Sequence, residues 1–150
     1  MNSKSILYII GYILLFLAFS MLLSVPWSIY YTDLDYIGIL YSFFSTITTA
    51  ICFILFSKPD KLELNIKDGF VIVSFGWIAT VFFSSLPYYF CGYLNFTNAF
   101  FESMSGLTTT GATIFGHSST IDIESLSRGI LFWRSFTQFI GGMGIIVFSI

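Results

Sequence analysis

The hydrophobic pattern of this chain is one of long, nearly unbroken apolar runs, with little sign of the alternation that marks half-buried strands. Crossing a hydrocarbon core takes about 20 largely apolar residues in helical form. Three segments meet that requirement directly: Ser5 to Val25, Ile37 to Phe56 and Phe70 to Phe90. A fourth, Gly129 to Ile150, meets it provided Arg134 is sheltered. Pro26 and Pro87 fall at or near span ends, where a missing backbone N–H does least harm. The first run, "MNSKSILYIIGYILLFLAFSMLLSV", starts with a positive charge as a signal peptide does. Its apolar stretch exceeds the 7–15 residues of such a leader and no small-residue cleavage site follows, so it is expected to be a retained span.

Between the third and fourth runs the pattern changes. "NFTNAFFESMSGLTTTGATIFGHSSTIDIES" is too short in its apolar part and too polar in the rest to cross a bilayer. Asn95, Thr97 or Asn98 can cap a helix running to about Thr108, roughly 18 Å at 1.5 Å per residue, or half a bilayer. A segment of that length with both flanks on one side is expected to be re-entrant. "SFFSTITTAI" at Ser42 to Ile51 echoes this stretch faintly but lacks the glycine and continues as an ordinary span, so the echo is attributed to chance.

Composition agrees with the pattern. Of 150 residues, 56% are hydrophobic and 9% charged, against about 25% charged in soluble domains, which makes this an all-α membrane protein of about four spans. The six basic residues are spread singly, so no nucleic-acid footprint exists. Their placement predicts orientation, because Lys and Arg are retained on the cytoplasmic side. Lys4 precedes the first span, and Lys58, Lys61 and Lys67 fill the loop between the second and third. Those ends, and the N-terminus, are expected in the cytoplasm of a plasma (inner) membrane protein. "PWSIYYTDLDY" has no basic residue, and Cys91 to Arg128 carries Glu102, Asp122 and Glu124 against one at its end, so both are expected outside. Trp27, Tyr30, Tyr31, Tyr36, Tyr88, Tyr89 and Tyr93 then form an outer aromatic belt.

The re-entrant placement gives "TTTGAT" chemical meaning. Non-helical backbone at membrane depth survives only where protein buries it or water meets it. A dehydrated alkali cation needs neutral oxygens, and carbonyls with threonine hydroxyls supply them without the tight grip of a carboxylate. Gly111 can adopt positive φ and so let successive carbonyls turn toward one axis. The short helix would present its partly negative C-terminal end to the ion. A plainer account is that Thr108 to Thr110 close a helix and Gly111 is its C′ cap.

"AFFESMSGLTTTGATI" followed by "ILFWRSFTQFIGGMGIIVFSI" closely resembles the first pore-loop repeat and following helix of the Trk/Ktr/HKT superfamily, specifically TrkH/KtrB-type potassium uptake proteins. "KDGFVIVSFGWIATVFFSSLPYYF" resembles that repeat's first helix, and the two earlier spans resemble the extra N-terminal pair of Trk-type members. The resemblance implies an N-terminal helix pair over 1–65 and a first helix, pore loop, helix repeat over 66–150 of a potassium-selective pore built from four such repeats. It implies a filter strand at Thr109, Thr110, Gly111 and Ala112, with Gly111 as the selectivity glycine and K+ held at Thr110 and Gly111. It also implies a homodimer, a cytoplasmic nucleotide-binding regulatory subunit of the TrkA/KtrA type, membrane lipid around the helices, no cofactor beyond the transported K+, and no enzymatic site. One repeat cannot enclose an ion, so the chain is expected to be the N-terminal part of a longer polypeptide; failing that, it is a truncated product or four copies assemble. The competing function is a non-conducting membrane subunit or inactive remnant.

The remaining polar residues have modest expectations. Glu102 lies within the re-entrant helix, where ionisable residues are functional candidates; it either concentrates cations at the pore mouth or, the favoured role, bonds to backbone near the loop, with Thr113 as further support. Arg134 and Gln138 share one helix face at i, i+4, with Arg134 expected to pack or snorkel as an anchor. "GGMG" at Gly141 to Gly144 predicts close helix approach. His117 is alone and is expected to be a solvated loop residue. Cys52 and Cys91 suit neither a zinc site nor a disulfide framework. Asp33, Asp35, Asp122 and Glu124 are expected as outer-surface charges.

Overall fold

The structure, a computed structural model, describes residues 3–59, 64–116 and 122–149. These form seven α-helices: α1 Ser3–Leu22, α2 Val25–Tyr30, α3 Tyr36–Phe56, α4 Ile66–Ser84, α5 Leu86–Phe90, α6 Phe96–Leu107 and α7 Arg128–Ser149, with a single 3-10 turn at Ile123–Ser125 before the last. The segment containing Asp60 and Lys61, and that containing His117, lie outside the described residues.

Three helical stretches are long and apolar enough to cross a membrane: Ser3–Tyr30, Tyr36–Phe56 and Ile66–Phe90. Two of them are interrupted by a turn, after which a proline opens a new short helix. Pro26 and Pro87 sit in the first turns of α2 and α5, positions whose N–H has no intrahelical partner in any case. α4 starts four residues ahead of its expected apolar boundary because Asn65 and Asp68 form a capping box, with the Asn65 N–H donating to Asp68 Oδ2 at 3.2 Å. α3 runs unbroken through the region of the faint internal echo, its Thr46, Thr48 and Thr49 hydroxyls donating to carbonyls one turn back. α7 spans 22 residues but, over its described residues, is not among the three apolar enough to cross by composition; its Arg134 is sheltered by α6.

α1 lies along α3 and α4, burying Leu14, Leu17, Met21, Ile39 and Ala50. A second part of the core gathers Tyr88, Ala99, Phe115, Ile130 and Trp133 where α5, α6 and α7 meet. Trp133 is fully buried and its indole N–H donates to the Ser84 carbonyl at 3.0 Å, which ties α7 to the end of α4. Lipid is as apolar as leucine, so helix association here depends on close van der Waals fit and on such bonds.

The connections at one end of the bundle are tied together. Tyr93 donates its hydroxyl to Asp35, the Ser127 N–H donates to Tyr93 at 3.2 Å, and the Arg128 N–H donates to Asp33 at 3.0 Å. Burial and the Asp35 carboxylate raise the Tyr93 hydroxyl above its usual pKa, and burial pushes the Cys91 thiol up to about 12. Asp33 and Asp35 are therefore tethers rather than free surface charges. Trp27, Tyr30, Tyr31 and Tyr89 are exposed near this end, as a belt requires, but Tyr88 is not among them: it is fully buried in the core against Phe115. The α5 helix turns it inward, so proximity in sequence to Tyr89 says nothing of its face.

Candidate functional site

The site is built from the end of α6 outward. Asn95 opens the helix by accepting the Asn98 N–H at 3.0 Å, and 12 residues carry it about 18 Å into the bundle. Both its flanks return to the same end: Tyr93 precedes it there, and Ser127 follows. Small residues let α6 meet α7. A side chain on Gly141 would collide with the Leu107 carbonyl, and one on Gly106 would come within 2.7 Å of Thr137 Oγ1. The expected close approach at the Gly141 to Gly144 stretch thus falls on the last turn of α6.

The helix stops at Thr108, and the residue beyond it is the informative one. Thr109 has φ of 56°, its N–H donates to the Gly106 carbonyl at 3.0 Å, and the Thr110 N–H donates to the Ser105 carbonyl at 3.0 Å. That pair of bonds is a Schellman closure with Thr109, not Gly111, in the left-handed C′ position. The helix-cap account of Gly111 therefore fails. A β-branched residue in that region costs roughly 1–2 kcal/mol, which places strain on the first residue of the loop.

Gly111 follows with φ of 77° in a stretch that has left the helix. A Cβ there would meet nothing within 4 Å, so the glycine answers to backbone conformation and not to crowding. Thr108 through Ala112 are exposed, and the Thr108 and Thr110 hydroxyls lie 2.8 Å apart. Among the described residues, no hydrogen bond reaches the carbonyl oxygens of Thr109, Thr110 or Gly111. The Ala112 carbonyl differs: it accepts the Ser105 hydroxyl at 2.6 Å, which leaves it a single lone pair for any other partner.

Behind the loop lies a buried ion pair. Arg134 Nε donates to Glu102 Oε1 at 2.7 Å, with the carboxylate side chain 2% exposed and the guanidinium side chain 21%. The same carboxylate accepts the Thr113 hydroxyl at 3.0–3.1 Å and the Ile114 N–H at 3.0 Å. Thr113 Oγ1 in turn accepts the Phe115 N–H at 3.2 Å. Glu102 thus bonds to backbone just beyond the loop, in keeping with the favoured role. Arg134 does not snorkel; it turns inward to the carboxylate. The pairing spans 32 positions, so no local spacing announces it, and the i, i+4 relation to Gln138 is a neighbour on the helix face only.

Membrane-length helices, a half-length helix ending in an exposed oxygen-rich loop, and a final helix packed against that end define a helical membrane protein with a re-entrant loop unit. Residues 39–150 match the family model described as TrkH, cation transport protein, and the chain belongs to that family. It is 36% identical, over its full length, to the Trk system potassium uptake protein TrkH of Vibrio parahaemolyticus, covering 30% of that relative. It is 40% identical over 63% of its length to TrkG of Escherichia coli, and 32% identical over 97% of its length to an uncharacterized cation transporter of Methanocaldococcus jannaschii. The crystal structure of the potassium transporter TrkH from Vibrio parahaemolyticus matches with a TM-score of 0.89 and 35% identity, over 98% of this chain and 31% of that one. These relatives are named as transporters, not enzymes. The chain spans about 30% of the length of the curated relatives it matches end to end.

Proposed function

We propose that this chain supplies one quarter of a potassium-selective pore, with residues 1–65 as an N-terminal helix pair and residues 66–150 as the first of four pore-loop repeats. Thr109, Thr110 and Gly111 direct free carbonyl oxygens, with Ala112 closing the strand, and K+ is cargo held at Thr110 and Gly111. The other strands come from the remaining repeats. The whole acts as a homodimer in the inner membrane, N-terminus in the cytoplasm, on a nucleotide-binding regulatory subunit of the TrkA/KtrA type. Potassium follows from the relatives' names and from oxygens that are neutral throughout the strand.

The observation that carries this reading is the uncoupling of Gly111 from helix closure. Thr109 already closes α6, so the positive φ of Gly111 serves the loop itself, where Thr110 and Gly111 are exposed and their carbonyls are unbonded among the described residues. In a complete pore containing this chain, Gly111→Ser forces an L-residue into that conformation and should lower potassium-over-sodium discrimination by about tenfold in competitive uptake. Unchanged discrimination at normal membrane levels would reject the filter assignment.

A further inference from the structure

The ion pair behind the loop has a geometry that a simple packing contact does not need. Glu102 divides its carboxylate between two elements: Oε1 takes the Arg134 guanidinium from α7, while Oε2 takes the Ile114 N–H from the chain just beyond the loop. The Thr113 hydroxyl touches both oxygens. One residue earlier, Ser105 holds the Ala112 carbonyl. Ser105 and Glu102 are both buried and lie on adjacent turns of α6, so the strand is pinned to one helix at Ala112 and again at Thr113 and Ile114. Thr110 is held through its N–H, which donates to the Ser105 carbonyl, and through its hydroxyl beside Thr108, while the carbonyls of Thr110 and Gly111 are free among the described residues. The position of those carbonyls is therefore set between the helix closure that precedes them and the pins that follow them.

From this arrangement we infer that the Glu102–Arg134 pair is a specificity-determining positioning element: it fixes the height and rotation of the Thr110 to Ala112 strand, and with them the discrimination between potassium and sodium. The inference rests on the filter assignment of Thr110 and Gly111. The physical basis is charge. An almost fully buried carboxylate offers acceptors only, and the guanidinium that faces it supplies the opposing charge. Replacing it with an amide, as in Glu102→Gln, provides one carbonyl acceptor and one NH2 donor. The Ile114 N–H and Arg134 Nε are both fixed donors, so one of them is left facing another donor. The strand then loses a pin without losing side-chain volume.

Relaxed pinning lets the carbonyls close around a smaller ion, so the signature is a change in ion ratio and not only in flux. In a complete pore containing this chain, Glu102→Gln and Arg134→Gln should each reduce the potassium-to-sodium uptake ratio by about fivefold, the scale of one lost hydrogen bond. Arg134→Lys, which keeps the charge, should recover part of that ratio. Thr113→Ala removes the shared hydroxyl alone and serves where the charge variants do not accumulate in the membrane. All are read beside Gly111→Ser. A normal ratio in Glu102→Gln, or in Arg134→Gln and Thr113→Ala should it not accumulate, while Gly111→Ser alters the ratio, would overturn this inference and leave the filter assignment standing. A normal ratio in Gly111→Ser would instead strike the filter assignment itself. A uniform fall in both ions that follows protein abundance would make the pair a folding contact and likewise overturn the inference.

Discussion

At the scale of single residues, Thr109 and Gly111 divide two tasks that the sequence leaves superimposed. Any of the threonines or the glycine in "TTTGAT" can end a helix by composition, and glycine is the common choice at C′. The Schellman bonds assign that task to Thr109 despite its branched side chain. Thr109→Gly should remove the strain of φ 56° and raise the unfolding free energy of purified protein by about 1 kcal/mol, after the greater chain entropy of glycine is offset. Thermal unfolding in detergent checks this, and a lowered midpoint would mean that the threonine side chain stabilises the turn more than its backbone strains it. The positive φ of Gly111 was legible in the sequence, because in this stretch glycine alone adopts it without strain. The pairing of Glu102 with Arg134 was not, since a contact between elements leaves no periodic trace, and the two residues appeared as separate polar intrusions.

At the scale of elements, the junction of α6 with α7 decides how the loop is held. The Gly141 to Gly144 stretch was legible as a site of close approach, but which of its glycines makes the contact depends on helix rotation, which spacing alone does not give. Gly141 lies directly on the Leu107 carbonyl, whereas a methyl at Gly142 would meet only the Thr109 Cγ2 at an ordinary 3.9 Å. Gly141→Ala should therefore destabilise the protein by about 1–3 kcal/mol, as overpacking does, and Gly142→Ala should cost little. Yield of folded protein after detergent extraction distinguishes them, and equal behaviour of the two would refute the packing described. Helix extents followed hydropathy closely because lipid imposes it. The breaks before α2 and α5 were signalled by Pro26 and Pro87 alone, and the burial of Tyr88 was not legible, because an apolar context on every side does not reveal which face of a short helix meets the core.

At the scale of the whole molecule, one end carries the tethered loops and the mouth of the re-entrant segment, and the other carries the lysine-bearing loop. With that loop in the cytoplasm, Leu34→Cys should react with an impermeant thiol reagent applied outside, and Lys58→Cys should not. Both positions are exposed, and Cys91 adds little background because a thiol pushed up to about 12 is almost wholly protonated near neutral pH. Reversed labelling would contradict the orientation. The central claim, that Thr110 and Gly111 hold the passing ion, is tested most directly by anomalous diffraction from a complete transporter containing this chain, crystallised in a rubidium salt. An anomalous peak in direct coordination with the Thr110 and Gly111 carbonyl oxygens is the expected result. A pore whose rubidium sites are clear but make no contact with this strand would contradict it.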